Sequence, residues 1–318
     1  MATAQELGVE PQQIREAAEM LRQGNLVAFP TETVYGLGAN ALDFLAVARI
    51  FWAKGRPRTS PLIVHVSSIE MARSLATTWP EQAQVLAERF WPGPLTLVVG
   101  KKPIIPDVVT AGLPTVGLRI PSHPVALALL QEAGIPVAAP SANRFTQLSP
   151  TTAEHVRRGL GRRVGYVLDG GPCQVGIEST VIGLTGEKPV LLRPGGISRS
   201  DIEDLIGPIA LGGAVAQGAH PSPGLHPQHY SPQTPLILVT GGAVPESGKG
   251  VYLQLQSAPT HPATVVAMPD DAQEYATRLY STLHEADEGG YDWIAVENPP
   301  EKPEWEGVLD RLRRASAR

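Results

Sequence analysis

The stretch FPTETVYGLG, residues 29–38, decides how this chain is read. An apolar run, LVAF at 26–29, enters it as a strand. Pro30 ends that strand, because proline offers no N–H to a ladder and fixes φ. Two threonines, a glutamate and a tyrosine follow before the glycines Gly36 and Gly38. Shortly after, AKGRPRTSPLIVHV (53–66) sets Lys54, Arg56 and Arg58 on a turn-prone run that leads into a second strand. A hydroxyl-rich loop facing fixed cations suits a small polar substrate held beside a polyphosphate.

Outward from this core, apolar spacing predicts helices over 11–23, 43–53, 79–90, 124–133, 151–160 and 199–206. The first carries Ile14, Ala17, Ala18 and Leu21 on one face and stops at Gly24. Thr151-Thr152-Ala153-Glu154 resembles a capping box. Strands are expected at 61–66, 95–99, 115–120, 137–139, 164–168, 179–182 and 190–192. Several strand-to-strand steps break the alternation, which predicts an α/β fold with a twisted mixed sheet and helices on its faces. Residues 207–234 are dominated by Gly, Ala, Pro, Ser and His and read as a linker. Strands at 236–239, 250–255, 264–268 and 293–296, with helices over 272–285 and from about Trp305, then predict a smaller α/β domain. The expected division is therefore 1–206, 207–234 and 235–318.

Of the 318 residues, 42% are hydrophobic and 18% charged, enough for packed cores without disulfides. The single cysteine, Cys173, excludes a disulfide framework, and no Cys/His cluster has zinc spacing. A net charge of −5 argues against a surface that is one nucleic-acid footprint, but allows a local basic cleft. No run approaches the roughly 20 apolar residues of a membrane span. The N-terminus lacks the basic and apolar regions of a signal peptide, so a cytoplasmic setting is expected.

Each motif has a bland reading. Gly36, Gly38 and Ala41 match the dinucleotide pattern G-x-G-x-x-A. However, six residues, PTETVY, separate the pattern from its strand, and no acidic residue stands where a ribose partner belongs. The glycines ending in SGKG near Lys249 fail as a P-loop. Lys54, Arg56 and Arg58 alone would be a solvated helix end. Arg119 and Arg193 also end strands, and five cations at strand ends or loops of an acidic protein favour an anionic ligand. Ser141 and Asn143 in APSANRF, and Glu178, Ser179 and Thr180 in GIESTVI, could be ordinary turn chemistry. His65, flanked by apolar residues, reads first as a core histidine, and no G-x-S-x-G elbow is present.

Taken together and in order, FPTETVYGLG, Lys54-x-Arg56 with PLIVHV, WPGPLT (91–96), TAGLPTVGLRIP (110–121), APSAN, GIESTVI, LLRPG and HYSP (229–232) resemble the Sua5/YrdC/YwlC family. The resemblance covers nearly the whole chain and is to the long two-domain form. It implies a YrdC-like catalytic domain, a linker closing over the active site, and a Rossmann-like Sua5 domain. It also implies a nucleotidyltransferase that makes L-threonylcarbamoyladenylate and pyrophosphate from L-threonine, bicarbonate or CO2, and ATP. The implied product serves N6-threonylcarbamoylation of adenosine 37 in tRNA, through a downstream tRNA threonylcarbamoyl-transferase complex.

By the same resemblance, Lys54, Arg56, Ser141 and Asn143 form the catalytic and nucleotide group. Thr31, Tyr35, His65, Arg119, Ala139 and Ser179 are implied for L-threonine, with Arg119 on its carboxylate. Ser60, Thr110, Ser149, Arg193 and Tyr230 are implied for ATP, with Tyr230 arriving from the linker as a lid. Mg²⁺ is expected to travel on the nucleotide, with no protein-ligated metal. The family's linker usually reads PGMKYxHYAP, and here Leu225-His226-Pro227-Gln228 replaces the Met-Lys-Tyr portion. The closing LDRLRRA (309–315) resembles the family's last helix. A rival reading, a double-stranded RNA or tRNA binding module of the same fold, lacks a Lys/Arg surplus and paired strand aromatics.

Overall fold

The computed structural model describes residues 3–212 and 229–317. The segment Leu225 to Gln228 and most of the stretch read as linker lie outside the described residues.

The chain opens with α1 (Pro11–Arg22), β1 (Val27–Phe29), β2 (Gly36–Asn40), α2 (Phe44–Lys54) and β3 (Ile63–His65). It continues through α3 (Ile69–Leu75), α4 (Glu81–Phe90), β4 (Leu95–Gly100), α5 (Asp107–Thr110) and β5 (Thr115–Arg119). Next come α6 (Pro124–Ala133), β6 (Val137–Ala138), α7 (Ala153–Leu160), β7 (Tyr166–Val167) and β8 (Thr180–Gly183). The first unit closes with β9 (Val190–Arg193), α8 (Arg199–Ile206) and β10 (Ala210–Leu211). The second contains β11 (Leu236–Val239), β12 (Gly250–Gln254), β13 (Thr264–Ala267), α9 (Ala272–Glu288), β14 (Trp293–Glu297) and α10 (Glu306–Ser316).

The first unit is one mixed sheet in the order β10-β9-β8-β4-β5-β3-β6-β2-β1-β7. The second sheet, β11-β14-β12-β13, is parallel throughout. Periodicity located α1 correctly: Ile14, Ala17, Ala18 and Leu21 are buried, and Glu10 and Gln13 close a capping box. Among the described residues, no helix is long and apolar enough to cross a membrane.

The structure corrects four local readings. Residues 36–40, where no strand was expected, form β2, which pairs antiparallel with β1 and β6. Gly38 is there for space: a Cβ would sit 2.8 Å from Phe29 Cε1 and 2.9 Å from Val137 Cγ1. The near-match to a dinucleotide fingerprint is thus a packing requirement inside a sheet. Helices α3 and α5 were not expected, being short and surrounded by prolines and serines. Ala210 and Leu211, inside the stretch read as linker, instead add β10 to β9.

The two units share a core. Val34, Leu148, Ile177 and Tyr230 pack into the same apolar cluster as Tyr275, Tyr280, Leu309 and Leu312. A polar seam runs beside it. His155 of α7 stacks on His284 of α9 with ring centroids 3.9 Å apart. Arg158 pairs with Glu288 next to them. Burial, then the neighbouring His284, pulls His155 down to about 4, and burial lowers His284 as well.

Gly38→Ala should cost about 1–3 kcal/mol, the usual range for overpacking a filled site. Urea denaturation measures this, and an unchanged midpoint would show that Phe29 and Val137 yield freely. The stacked histidines set a pH dependence of known sign. Both are held neutral in the fold, whereas the unfolded chain takes up protons as pH falls through about 6.5. Stability should therefore be fully present above that pH and decline towards pH 4. His155→Phe, which keeps a ring in the stack, should flatten the decline between pH 7 and 5.

Candidate active site

The hydroxyl loop builds itself first. Thr31 Oγ1 donates to the Val34 carbonyl at 2.6 Å and accepts from the backbone N–H groups of Thr33 and Val34. This is a threonine turn, and it spends Thr31's hydroxyl on the local backbone. The turn directs Glu32 inward, where Oε1 meets Arg119 Nη2 at 2.7 Å, both side chains being buried. Glu32 Oε2 accepts from the Ser122 N–H at 3.0 Å. Arg119 also donates from Nε to the Gly93 carbonyl and from Nη1 to Thr33 Oγ1. Two hydrogen bonds and one buried ion pair thus fix the Arg119 guanidinium.

Sheet pairing sets the remaining residues around this pair. His65 and Arg119 are register partners at the ends of parallel β3 and β5. Burial, then the nearby Arg119 charge, pulls His65 down to about 3, so its ring is neutral at pH 7. Its Nδ1 is buried with no hydrogen-bond partner. Ser179 and Arg193 come from the start of β8 and the end of β9; Arg193 Nη2 reaches the Ser179 carbonyl at 2.8 Å and Oγ at 3.1 Å. Ser179 Oγ also lies 2.8 Å from Thr96 Oγ1.

One cleft of about 50 Å³ is lined by nine of the expected residues: Thr31, Arg56, His65, Arg119 and Ala139, with Ser141, Ser179, Arg193 and Tyr230. It also takes in Thr33, Glu178 and His229, which sequence reading did not assign to the site. Arg56 is held by Ser60 Oγ at 2.6 Å and the Pro61 carbonyl at 3.1 Å, with its guanidinium 5.7 Å from the Phe145 ring centroid. Burial, with Arg193 contributing, lowers Arg56 to about 10, and its Nε is a buried donor without a hydrogen-bond partner.

Six expected residues do not line the cleft. Lys54 is buried and its Nζ donates to the Ser141 carbonyl, the Asn143 carbonyl and Asn143 Oδ1 at 2.5, 2.6 and 3.1 Å. All three ammonium protons thus brace the 141–143 loop. Asn143 completes that brace, accepting from Ser141 Oγ at 2.5 Å and donating to the Arg144 and Gln147 carbonyls. Ser60 supports Arg56. Tyr35 points the other way, into the core, its hydroxyl donating to the Gly171 carbonyl at 2.7 Å. Thr110 caps its own turn on the Leu113 carbonyl. Ser149 donates to Glu178 Oε1 at 2.5 Å. A larger cavity of about 240 Å³, between α8, α9 and α10, contains none of the expected residues.

Tyr230 enters from the other side with φ at 60°, a left-handed conformation that costs a non-glycine residue about 1 kcal/mol or more. That conformation buries the ring 5.2 Å from the Arg311 guanidinium and 4.1 Å from His229. Among the described residues, no three His, Cys, Asp or Glu side chains converge as metal ligands.

Comparison with known proteins identifies the family. Residues 19–195 match the Sua5/YciO/YrdC family model, described as telomere recombination. Residues 197–317 match a model described as the C-terminal domain of threonylcarbamoyl-AMP synthase. The chain is 44% identical to threonylcarbamoyl-AMP synthase of Pyrococcus abyssi, covering 97% of this chain and 95% of that one. It is 43% identical to the Bacillus subtilis enzyme of the same name, over 98% and 95%. The crystal structure of P. abyssi Sua5 complexed with L-threonine superposes with a TM-score of 0.89 at 42% identity, covering 97% and 95%. The chain belongs to the Sua5/YrdC family of threonylcarbamoyl-AMP synthases, in its two-domain form.

Glu32 is the residue to test here. Removing one partner of a buried ion pair leaves the other charge uncompensated, at a cost of about 3–5 kcal/mol. Glu32→Gln keeps the shape and should still lower stability by a few kcal/mol in urea, with weakened threonine affinity by calorimetry. Unchanged affinity would show that Arg119 needs no anchor.

Proposed function

We propose that this cleft forms L-threonylcarbamoyl-AMP and pyrophosphate from L-threonine, bicarbonate or CO2, and ATP. The observation that carries the reading is the convergence of Arg56, Arg119 and Arg193, all buried, on one small cleft. Buried polar atoms are normally paired, so the unpartnered Arg56 Nε and His65 Nδ1 in that cleft are positions for ligand atoms.

The chemistry follows from the charges. The threonine amine adds to CO2 to give a carbamate, and a carbamate oxygen attacks the α-phosphorus of ATP. The bond to the bridging oxygen breaks, and the electron pair leaves with pyrophosphate. Both reactants are anionic, so the protein's work is to hold them together and stabilise charge on the phosphates. Arg119, fixed by Glu32, offers its remaining N–H groups to the threonine carboxylate, and neutral His65 supplies an acceptor to the same substrate. Arg56 and Arg193 face the nucleotide, and Mg²⁺ riding on its phosphates offsets further charge. Lys54 and Asn143 act by fixing the loop that presents Ser141. Tyr230 covers the cleft and keeps water from the adenylate. The product passes to a tRNA threonylcarbamoyl-transferase in the cytoplasm, where the tRNA is.

The test is pyrophosphate release from ATP and bicarbonate with L-threonine, with L-serine as the control. Release should depend on threonine. Arg119→Lys should raise the threonine KM by roughly 10- to 100-fold, the value of a lost charge-assisted bidentate pair. Arg56→Ala should instead lower kcat/KM for ATP by about the same factor. Release indifferent to threonine would sink the reading.

A further inference from the structure

Arg311 is the largest fully buried side chain among the described residues, and it lies far from the cleft in sequence, on the last helix. Its Nε donates to Glu178 Oε2 at 2.6 Å and its Nη2 to the Glu178 carbonyl at 3.3 Å. Its Nη1 reaches the Pro194 carbonyl at 3.0 Å and Asp310 Oδ2 at 2.7 Å. The face of the guanidinium lies against Tyr230. Every one of these contacts except Asp310 is to a residue in the cleft wall or beside it.

The backbone is built for this approach. One turn earlier on α10, Gly307 allows the helix to close on the loop after β9: a Cβ there would meet Gly195 O at 3.0 Å and Ile177 Cδ1 at 2.9 Å. Gly307 and Arg311 are four apart, so they share a helix face. Tyr280 of α9 adds a second donor to Glu178, 3.2 Å from Oε2. From the opposite side, Ser149 donates to Oε1. Burial pushes the Glu178 carboxyl up, and Arg311, Arg193 and the Ser149 hydroxyl more than reverse it, so Glu178 stays ionised.

We infer that Arg311 is a positioning residue of the synthase site: through Glu178 and Tyr230 it sets the nucleotide-side wall of the cleft. The C-terminal domain is then part of the active site's framework. The inference rests on the synthase reading given above. Replacing the guanidinium by a point charge removes the fork that holds Glu178 and the plane that carries Tyr230. The wall would relax while the threonine side, built on Glu32, Thr33 and Arg119, stays in place.

Pyrophosphate release by the full chain, with ATP and threonine varied separately, tests this. Wild type must first show threonine-dependent release; its absence overturns the synthase reading and not the contact. Arg311→Lys should raise the ATP KM roughly 10- to 100-fold with the threonine KM changed far less. Arg311→Met with Glu178→Gln, which leaves no unpaired buried charge, should recover stability over Arg311→Met alone but not the ATP KM. Glu288→Gln, which loosens an exposed contact between the same units, should leave both KM values unchanged. If Arg311→Lys folds and keeps the wild-type ATP KM, Arg311 only docks the domain. If both KM values rise together, or if Glu288→Gln shifts the ATP KM equally, the effect is general loosening and the assignment falls.

Discussion

A carboxylate taken out of water must be answered by donors, and Glu178 is the place where this protein meets that demand. Burying an unpaired carboxylate would cost several kcal/mol. Glu178 collects Ser149 from the loop before α7, Tyr280 from α9 and Arg311 from α10. Tyr280 and Arg311 lie 102 and 133 positions from Glu178 in the chain. No part of the network can relax without leaving a buried charge or hydroxyl unpaired, which fixes the two units against one another. The neighbouring Tyr230 rests on the same network, its ring against the Arg311 guanidinium.

A second buried pair, Glu32 with Arg119, does the same for the other half of the cleft. The two halves differ in origin. The Glu32 half is assembled within the large mixed sheet, from a turn after β1 and the end of β5. The Glu178 half needs the C-terminal helices. A cleft divided in this way can bind two anions with separate supports, which suits a reaction that must bring a carbamate up to a polyphosphate.

Several hydroxyls and one ammonium of the expected site also hold the protein's own backbone and side chains in place. Lys54 braces the 141–143 loop, Thr31 closes its own turn, and Ser149 serves Glu178. Each places a residue that does face the cleft. The result is a set of side chains whose own geometry is over-determined by hydrogen bonds, as a preorganised site requires. Tyr230, with its left-handed backbone, places its ring over the Arg311 guanidinium.

The residues alone determined the amphipathic helices, the alternation that gives two α/β units, and the order of motifs that marks the family. Those signals are local: helical spacing in α1, β-branched runs in β3 and β5, and proline stops. The residues alone also indicated an anionic ligand, because cations cluster at strand ends. What only the tertiary structure decided is which of those polar groups line the cleft. Gly38, part of a near-match to a dinucleotide pattern, is a strand residue whose missing Cβ leaves room for Phe29 and Val137. Tyr35 and Thr110 sit in matching motifs, yet they bond to the Gly171 and Leu113 carbonyls away from the cleft. Arg311 stands in LDRLRRA, expected as a last helix; its buried ion-pair partner is a carboxylate 133 positions earlier. Sequence periodicity reports which face of an element is buried, but the partner of a buried charge is set by long-range packing, which no local pattern encodes.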